Sequence, residues 1–207
     1  MVDEPRGEDA ALVAVQAALA GRPGVLSGAR ALSHFGEHSA GWLAVAGLGA
    51  LLQPGRRRDW LVAGAGAFAA HIAAVLIKPV VRRERPHHPA IAVNVGTPSR
   101  LSLPSAHATS TTAAAVLLGR VTGLPLPAVL VPPMALSRLV LGVHYPSDVM
   151  TGVAVGAVVA EVTARMAERT GARGRHCPGT TLMAGRGEHN AMERIEMGSG
   201  RHGYRNE

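Results

Sequence analysis

Aromatic side chains are nearly missing from this chain of 207 residues: two Trp, two Tyr and two Phe make up 3% of it. A water-soluble core of this size normally uses more large side chains, whereas Ala, Gly, Val and Leu dominate here. With a hydrophobic share of 47%, the composition favours helices that pack closely together in lipid.

Cysteine is almost absent as well. The single residue Cys177 excludes an internal disulfide, and no Cys/His spacing resembles a zinc site, so we expect no metal and no other cofactor. The first residues are acidic, and Arg22-Pro23 breaks the first apolar run, so the sequence predicts no cleavable signal peptide.

The net charge of +7 comes from basic residues in loops and tails. No basic patch with interleaved aromatic residues is present, so we expect no nucleic-acid partner. The distribution is typical of membrane topology, and membrane lipids are the expected surroundings.

The apolar runs predict an all-α, polytopic membrane bundle of about five spans, with a short alanine-rich helix over residues 10–20 in front of it. Several runs are shorter than the roughly 20 residues that usually cross a bilayer, so they would have to tilt little or lie in a thinned region. Four prolines predict kinks or a break in the fourth span. The predicted spans are residues 39–53, 60–77, 108–118, 124–141 and 149–166.

Three regions follow from this pattern. Residues 1–38 form an N-terminal segment with a short helix, residues 39–168 a membrane-integral domain, and residues 169–207 a Gly-, Arg- and Glu-rich tail that we expect to be disordered. The pair Gly152 and Gly156 hints at a close helix contact in the last span.

One stretch concentrates ionisable residues within apolar sequence: Arg138, His144 and Asp148. Pro146 suits the first turn of a helix, which would place Asp148 where it can reach back to the imidazole of His144. A carboxylate on one ring nitrogen leaves the other free to attack. The alternative is a helix-capping aspartate beside a structural histidine.

Two further clusters lie at span ends: Lys78 with Arg85, and Ser105 with His107. Alternate crossings of the membrane put all three clusters on one side. Fixed cations and helix N-termini form an anion pocket, and two histidines can supply a nucleophile and a proton donor. This set predicts phosphoryl transfer without a metal.

The spacing of these residues resembles the type 2 phosphatidic acid phosphatase superfamily, which also contains vanadium haloperoxidases. Its pattern is Lys-x6-Arg-Pro, Pro-Ser-Gly-His and Ser-Arg-x5-His-x3-Asp. The corresponding blocks here are residues 78–86, 104–107 and 137–148. One position departs from the pattern, because Ala106 stands where the family has glycine.

The resemblance implies a role for each matching residue. His144 is expected to be the nucleophile that forms a phosphohistidine, Asp148 its orienting carboxylate, and His107 the general acid and base. The expected phosphate cradle consists of Lys78, Arg85, Ser105, Arg138 and the N–H of Ala106. Arg82 and Arg83 match no motif position, so we expect solvated or lipid-facing charges there.

Four other titratable residues receive structural interpretations. No partner spacing supports a catalytic role for His34, Glu37 or His38. His71 lies inside an apolar span, where a hydrogen bond to another helix is the expected role.

A site at a membrane surface predicts a lipid phosphate as the substrate. Within the superfamily the chain resembles short actinobacterial phosphatases that act on decaprenyl-linked phosphoribose in cell-wall arabinan synthesis. Undecaprenyl pyrophosphate, phosphatidic acid and phosphatidylglycerol phosphate are alternative substrates. An anion transporter or channel, or an inactive scaffold, would explain the cations but not the two histidines.

The positive-inside rule gives an orientation in the bacterial plasma membrane. Arg56, Arg57, Arg58 and the C-terminal tail share one side, and the active-site loops share the other. We therefore expect an extracytoplasmic active site. The sequence does not indicate an oligomeric state.

Overall fold

The computed structural model describes residues 4–173, and every regular element among them is helical. The one β-type contact in this range is an isolated bridge between Glu84 and Leu101. The predicted all-α class is therefore confirmed for the described part of the chain. The helices are α1 (Gly7–Leu19), α2 (Val25–Gly36), α3 (Ala40–Leu52), α4 (Arg57–Val81), α5 (Ala106–Thr122), α6 (Leu126–Val140) and α7 (Pro146–Arg173).

Small residues allow the central helices to pack closely. α4 packs against α3 and α5, α5 against α6, and α2 against α6. The core between them is made largely of alanines and also contains Trp42 and Trp60. Trp42 donates its indole N–H to Oγ1 of Thr111 (3.2 Å), which satisfies the buried polar atom.

Two glycines bring α7 against α5. A Cβ built on Gly156 would lie 2.3 Å from the carbonyl oxygen of Thr109, and one on Gly152 would lie 2.7 Å from that of Ser105. Only a residue without a side chain allows such an approach. The close contact suggested by the Gly-x-x-x-Gly spacing is therefore confirmed.

Many large apolar side chains are exposed on the outside of the bundle. Leu76 is 65% exposed and Met150 67%, whereas Ala67 and Ala70 are completely buried. Two helical stretches, Pro54–Val81 and Pro146–Thr170, are long and apolar enough to cross a membrane. α3, α5 and α6 have 13, 17 and 15 residues.

Some boundaries differ from the sequence prediction. α4 continues past Pro79 to Val81, and the N–H of Arg82 still closes its last turn on the carbonyl of Lys78 (2.9 Å). α6 is continuous through Pro132 and Pro133, so the predicted break is absent.

The last helix also extends beyond its predicted end. α7 runs to Arg173, because no proline or turn sequence interrupts it after Met166. The rest of the predicted tail, including Cys177, lies outside the described residues.

Candidate active site

A cavity of about 320 Å³ lies where the ends of α4, α5 and α6 meet the loops 82–105 and 141–145. The eight site residues predicted from the sequence all lie at or beside it. Six of them line it: Lys78, Arg85, Ala106, His107, Arg138 and His144. The proximity of the three clusters is thus a property of the fold.

The other two predicted residues, Ser105 and Asp148, are fully buried. The backbone N–H of Ser105 donates to the carbonyl of Asp148 (3.1 Å). This bond ties the start of α5 to the start of α7, and so holds two of the motif segments in register.

The N-terminus of α5 is built as the sequence predicted. Ser105 is the N-cap, with extended backbone, and its hydroxyl accepts from the N–H of Ala108 (3.5 Å). Ala106 is the first helical residue, where alanine is as suitable as the family's glycine. The departure from the motif therefore leaves the helix terminus intact beside the cavity.

The ring of His144 has a different neighbour at each nitrogen. Nε2 lies 3.3 Å from Nη1 of Arg85, and Nδ1 lies 3.7 Å from Oδ2 of Asp148. Arginine can only donate, so Nε2 is the acceptor and Nδ1 carries the hydrogen. The distance to Asp148 exceeds a hydrogen bond, and Nδ1 has no other hydrogen-bond partner.

Burial controls the charge of this ring. His144 is 3% exposed. Burial lowers its pKa, and the positive charges of Arg85 and Lys78 act in the same direction, while Asp148 opposes them. The net lowering keeps the imidazole neutral, as a nucleophile must be.

The three cavity cations are held by backbone and hydroxyl oxygens. Nζ of Lys78 donates to the carbonyls of Leu101 (3.0 Å) and Ser102 (3.1 Å), which leaves one of its three hydrogens. Arg85 donates to the carbonyls of Ser99 (2.8 Å) and Val143 (2.6 Å). These oxygens fix the position of each cation and leave its positive charge without a carboxylate partner.

Arg138 retains a whole amino group without a partner. Its Nε donates to the hydroxyl of Ser137 and its Nη1 to that of Ser33, both at 3.1 Å. Nη2 is buried and makes no hydrogen bond. A buried guanidinium nitrogen with unused donors fits an anionic ligand in the cavity.

Ser33 on α2 links two site residues, and the sequence analysis missed it. Besides its hydroxyl contact to Arg138, its carbonyl oxygen lies 3.0 Å from Nε2 of His107. A carbonyl can only accept, so Nε2 carries a hydrogen and Nδ1 is left to exchange a proton. No motif spacing marks a serine 72 residues before Ser105.

Arg83 was expected to be a solvated or lipid-facing charge, and the structure instead shows it bound to protein side chains. Its Nη1 donates to Oδ1 of Asp148 (3.0 Å) and to the hydroxyl of Ser147 (2.5 Å). Its other amino group contacts Glu8 on α1, and its guanidinium lies 4.4 Å from the ring centre of Tyr145. Arg82, by contrast, is exposed as predicted.

Four titratable residues without motif positions also line the cavity: His34, Glu37, His38 and His71. Nδ1 of His71 is buried and makes no hydrogen bond, so the predicted hydrogen bond to another helix is absent at that atom. These side chains meet only because the end of α2 and the turn after it pack beside α4 at the cavity. Within residues 4–173, no group of three His, Cys, Asp or Glu side chains is placed to hold a metal ion.

Comparisons with known proteins show which sequences and folds this chain resembles. The chain is 81% identical to the decaprenylphosphoryl-5-phosphoribose phosphatase of Mycolicibacterium smegmatis over 152 residues, 73% of this chain and 84% of that protein. It is 73% identical to the protein of the same name from Mycobacterium tuberculosis over 158 residues, 76% and 89% of the two chains.

Two crystal structures share the fold. One is a transmembrane PAP2-type phosphatidylglycerolphosphate phosphatase from Bacillus subtilis, with a TM-score of 0.61 and 22% identity, covering 77% of this chain and 86% of that one. The other is Aquifex aeolicus LpxE, with a TM-score of 0.56 and 19% identity, covering 80% and 99%. The family model of the PAP2 superfamily matches residues 59–172, more than half of the chain. This chain therefore belongs to the PAP2 superfamily.

Proposed function

We propose that this protein is a metal-independent phosphatase that removes the phosphate from a polyprenyl-linked phosphoribose, through a phosphohistidine on His144. The observation that carries the proposal is the buried imidazole of His144, whose Nε2 faces Arg85 in a cavity with two more cations. A phosphoryl group placed there would meet a nucleophile and fixed positive charge together.

The first step breaks the bond between phosphorus and the sugar oxygen. Arg85 donates to an oxygen of the incoming phosphate, which frees the lone pair on Nε2 of His144. Nε2 attacks phosphorus in line, and His107, which enters this step protonated at both ring nitrogens, gives its Nδ1 proton to the leaving oxygen. Asp148 stabilises the charge that develops on the ring of His144.

The second step releases inorganic phosphate. His107, now neutral, takes a proton from water, whose oxygen attacks phosphorus and breaks the bond to Nε2. The Nε2–H of His107 stays hydrogen-bonded to the carbonyl of Ser33 in both steps. Nδ1 of His107 is therefore the nitrogen that loses and regains the proton. Lys78, Arg85 and Arg138 neutralise the equatorial oxygens in both steps.

The relatives support the choice of substrate. Proteins that are 73% and 81% identical to this chain over most of their length carry the name of a decaprenylphosphoryl-5-phosphoribose phosphatase. The phosphate to be removed is then the 5-phosphate of ribose, and the prenyl chain anchors the substrate in the membrane.

The protein lies in the plasma membrane with α3 to α7 as its five spans. α3 has only 13 residues, about 20 Å of helix, so the bilayer must thin beside it. The active-site loops face the extracytoplasmic side, and the basic turn around Arg57 faces the cytoplasm.

Phosphate release by the purified full-length protein tests the activity. We expect turnover of decaprenylphosphoryl-5-phosphoribose in excess EDTA, inhibition by vanadate, and labelling of the protein by substrate that carries a radioactive 5-phosphate. His144→Asn should abolish both turnover and label. His107→Asn should accumulate label less quickly and release it slowly.

A strict requirement for added metal would contradict the mechanism, as would full activity of His144→Asn. Preferential hydrolysis of phosphatidic acid would keep the mechanism and overturn the substrate.

Orientation is tested separately by labelling of introduced cysteines in intact cells, in a Cys177→Ser background. A membrane-impermeant maleimide should modify Pro98→Cys and should not modify Arg57→Cys. The opposite pattern would place the active site in the cytoplasm.

A further inference from the structure

The titratable residues that line the cavity fall into two chemically different sets, and a loop over residues 95–99 also lines it. The cations, His107 and His144 all lie within residues 59–172, which match the superfamily. His34, Glu37 and His38 come from α2 and the turn after it, outside that match. With His71 of α4 they form what we call the histidine wall.

The histidine wall has unused hydrogen-bonding capacity. The rings of His38 and His71 lie 5.8 Å apart between centroids, at an angle of 52°. Nδ1 of His71 is buried without a partner, although buried polar atoms in proteins are normally satisfied. The side chains of His34 and Glu37 are 75% and 55% exposed, and Nδ1 of His34 lies 3.9 Å from the carboxylate.

The backbone that carries His38 is strained. His38 and Ser39 both have positive φ, at 49° and 62°, in a region that residues with a side chain rarely occupy. Ser39 is fully buried, so the surrounding helices hold this turn in place. Strain of this kind persists chiefly where function requires a particular geometry.

The chemistry of the wall selects a neutral, hydroxyl-bearing ligand. A neutral imidazole offers one donor and one acceptor, and a carboxylate offers acceptors only, which together match hydroxyl groups. A second phosphate would be repelled by Glu37, and a prenyl chain would require apolar side chains. At about 320 Å³ the cavity has room for more than a phosphoryl group.

We propose that the histidine wall binds the hydroxyl groups of the sugar whose phosphate lies in the cationic part of the cavity. This inference rests on the proposed function and adds the source of its specificity. The superfamily-matched residues carry out phosphoryl transfer, and the N-terminal segment with His71 recognises the ribose.

A cycle that changes both the substrate and the protein tests this assignment. The substrates are the phosphoribosyl lipid and its 2,3-dideoxy analogue, which differ only in the two hydroxyl groups. The proteins are the full-length wild type, His71→Leu, His38→Gln and, as a matched control outside the cavity, His88→Gln. The measurement is kcat/KM for each pair.

We expect the wild type and His88→Gln to prefer the parent lipid by roughly 10- to 100-fold, because the analogue leaves the buried Nδ1 of His71 unpaired. In His71→Leu and His38→Gln that preference should fall towards one, since a variant without the contact gains nothing from the hydroxyls.

If the wild type has the same kcat/KM for the parent lipid and the analogue, the inference is overturned before any variant is measured. The proposed function would still stand. A preference that persists unchanged in both histidine variants would overturn it as well. If the wild type hydrolyses neither lipid, the proposed function fails first, so the two failures are distinguishable.

Discussion

The guanidinium of Arg83 lies 3.0 Å from Oδ1 of Asp148, whose other oxygen accepts the N–H of Tyr145 (2.8 Å) and faces His144. Asp148 is therefore held at both oxygens before substrate binds. Glu8, on the first helix, contacts Arg83 and accepts the N–H of Ser147 (2.9 Å). A residue outside every motif thus orients the carboxylate that faces the candidate nucleophile.

Replacing Arg83 should impair catalysis more than binding. We expect Arg83→Met to lower kcat by roughly 10- to 100-fold, the range seen when a group that orients a reactive side chain is lost, with little change in KM. Arg83→Lys should recover part of the loss, because one charged donor can still reach Asp148.

Arg82→Met is the matched control, because Arg82 is exposed and its Nε bonds only the nearby carbonyl of Pro79 (3.0 Å). Equal losses for Arg82→Met and Arg83→Met in steady-state kinetics would contradict the positioning role.

Gly36 permits the N-terminal segment to approach the general acid. A Cβ at this position would lie 2.7 Å from Cδ2 of His107 and 3.3 Å from a methyl of Met134. Gly36→Ala should displace His107 and lower kcat, since a shift of about 1 Å in a reacting group can cost roughly 100-fold.

Gly28→Ala, in the same helix but with open space around the Cβ, should leave kcat unchanged. A Gly36→Ala enzyme with wild-type kcat would show that His107 tolerates the shift.

The ring of His144 should stay neutral where an ordinary histidine becomes charged. Its pKa is lowered, chiefly by burial, so the neutral form persists as the pH falls from about 8 to about 5, past the ordinary value of about 6.5. NMR of ¹⁵N-histidine-labelled protein, with His144→Asn to assign the signal, measures this directly.

The same shift has a consequence for stability. Below about pH 6.5 the unfolded chain binds a proton at this histidine and the folded chain does not, so burial of His144 lowers the free energy of unfolding as the pH decreases. A His144 signal that titrates near or above 6.5 would refute the neutral, buried nucleophile.

The contact between α5 and α7 should be sensitive to a single methyl group. Gly156→Ala would place a Cβ 2.3 Å from the carbonyl of Thr109, and we expect a loss of about 1–3 kcal/mol from overpacking. Thermal unfolding in detergent should show a lower Tm.

Gly47→Ala, in α3 with no atom near the added Cβ, is the control. It should match or exceed the wild-type Tm, because alanine favours helix over glycine. A Gly156→Ala protein as stable as Gly47→Ala would mean that α5 and α7 can move apart without loss of stability.

Much of the local structure was readable from short patterns. Ser105 before an apolar run predicted an N-cap, Pro146 predicted a helix start, and the Gly152–Gly156 spacing predicted close packing. The cap and the helix start depend on neighbours within a turn of helix, so the local sequence contains the necessary information. The glycine spacing shows only that one helix has a face open to close packing, and the fold supplies the partner. The prolines of α6 do not break the helix, because the effect of a proline depends on what surrounds the helix.

From the sequence alone, the helical class and eight residues that meet at or beside one cavity could be predicted, because their types and spacing reflect local helix chemistry and a shared motif. Only the tertiary structure decided which residues surround them. Glu8, Ser33, His38 and His71 reach the site through the packing of α1, α2 and α4 around the ends of α5 and α7. Contacts between residues so far apart in the chain depend on how the helices pack, and no periodicity or spacing within one segment encodes them.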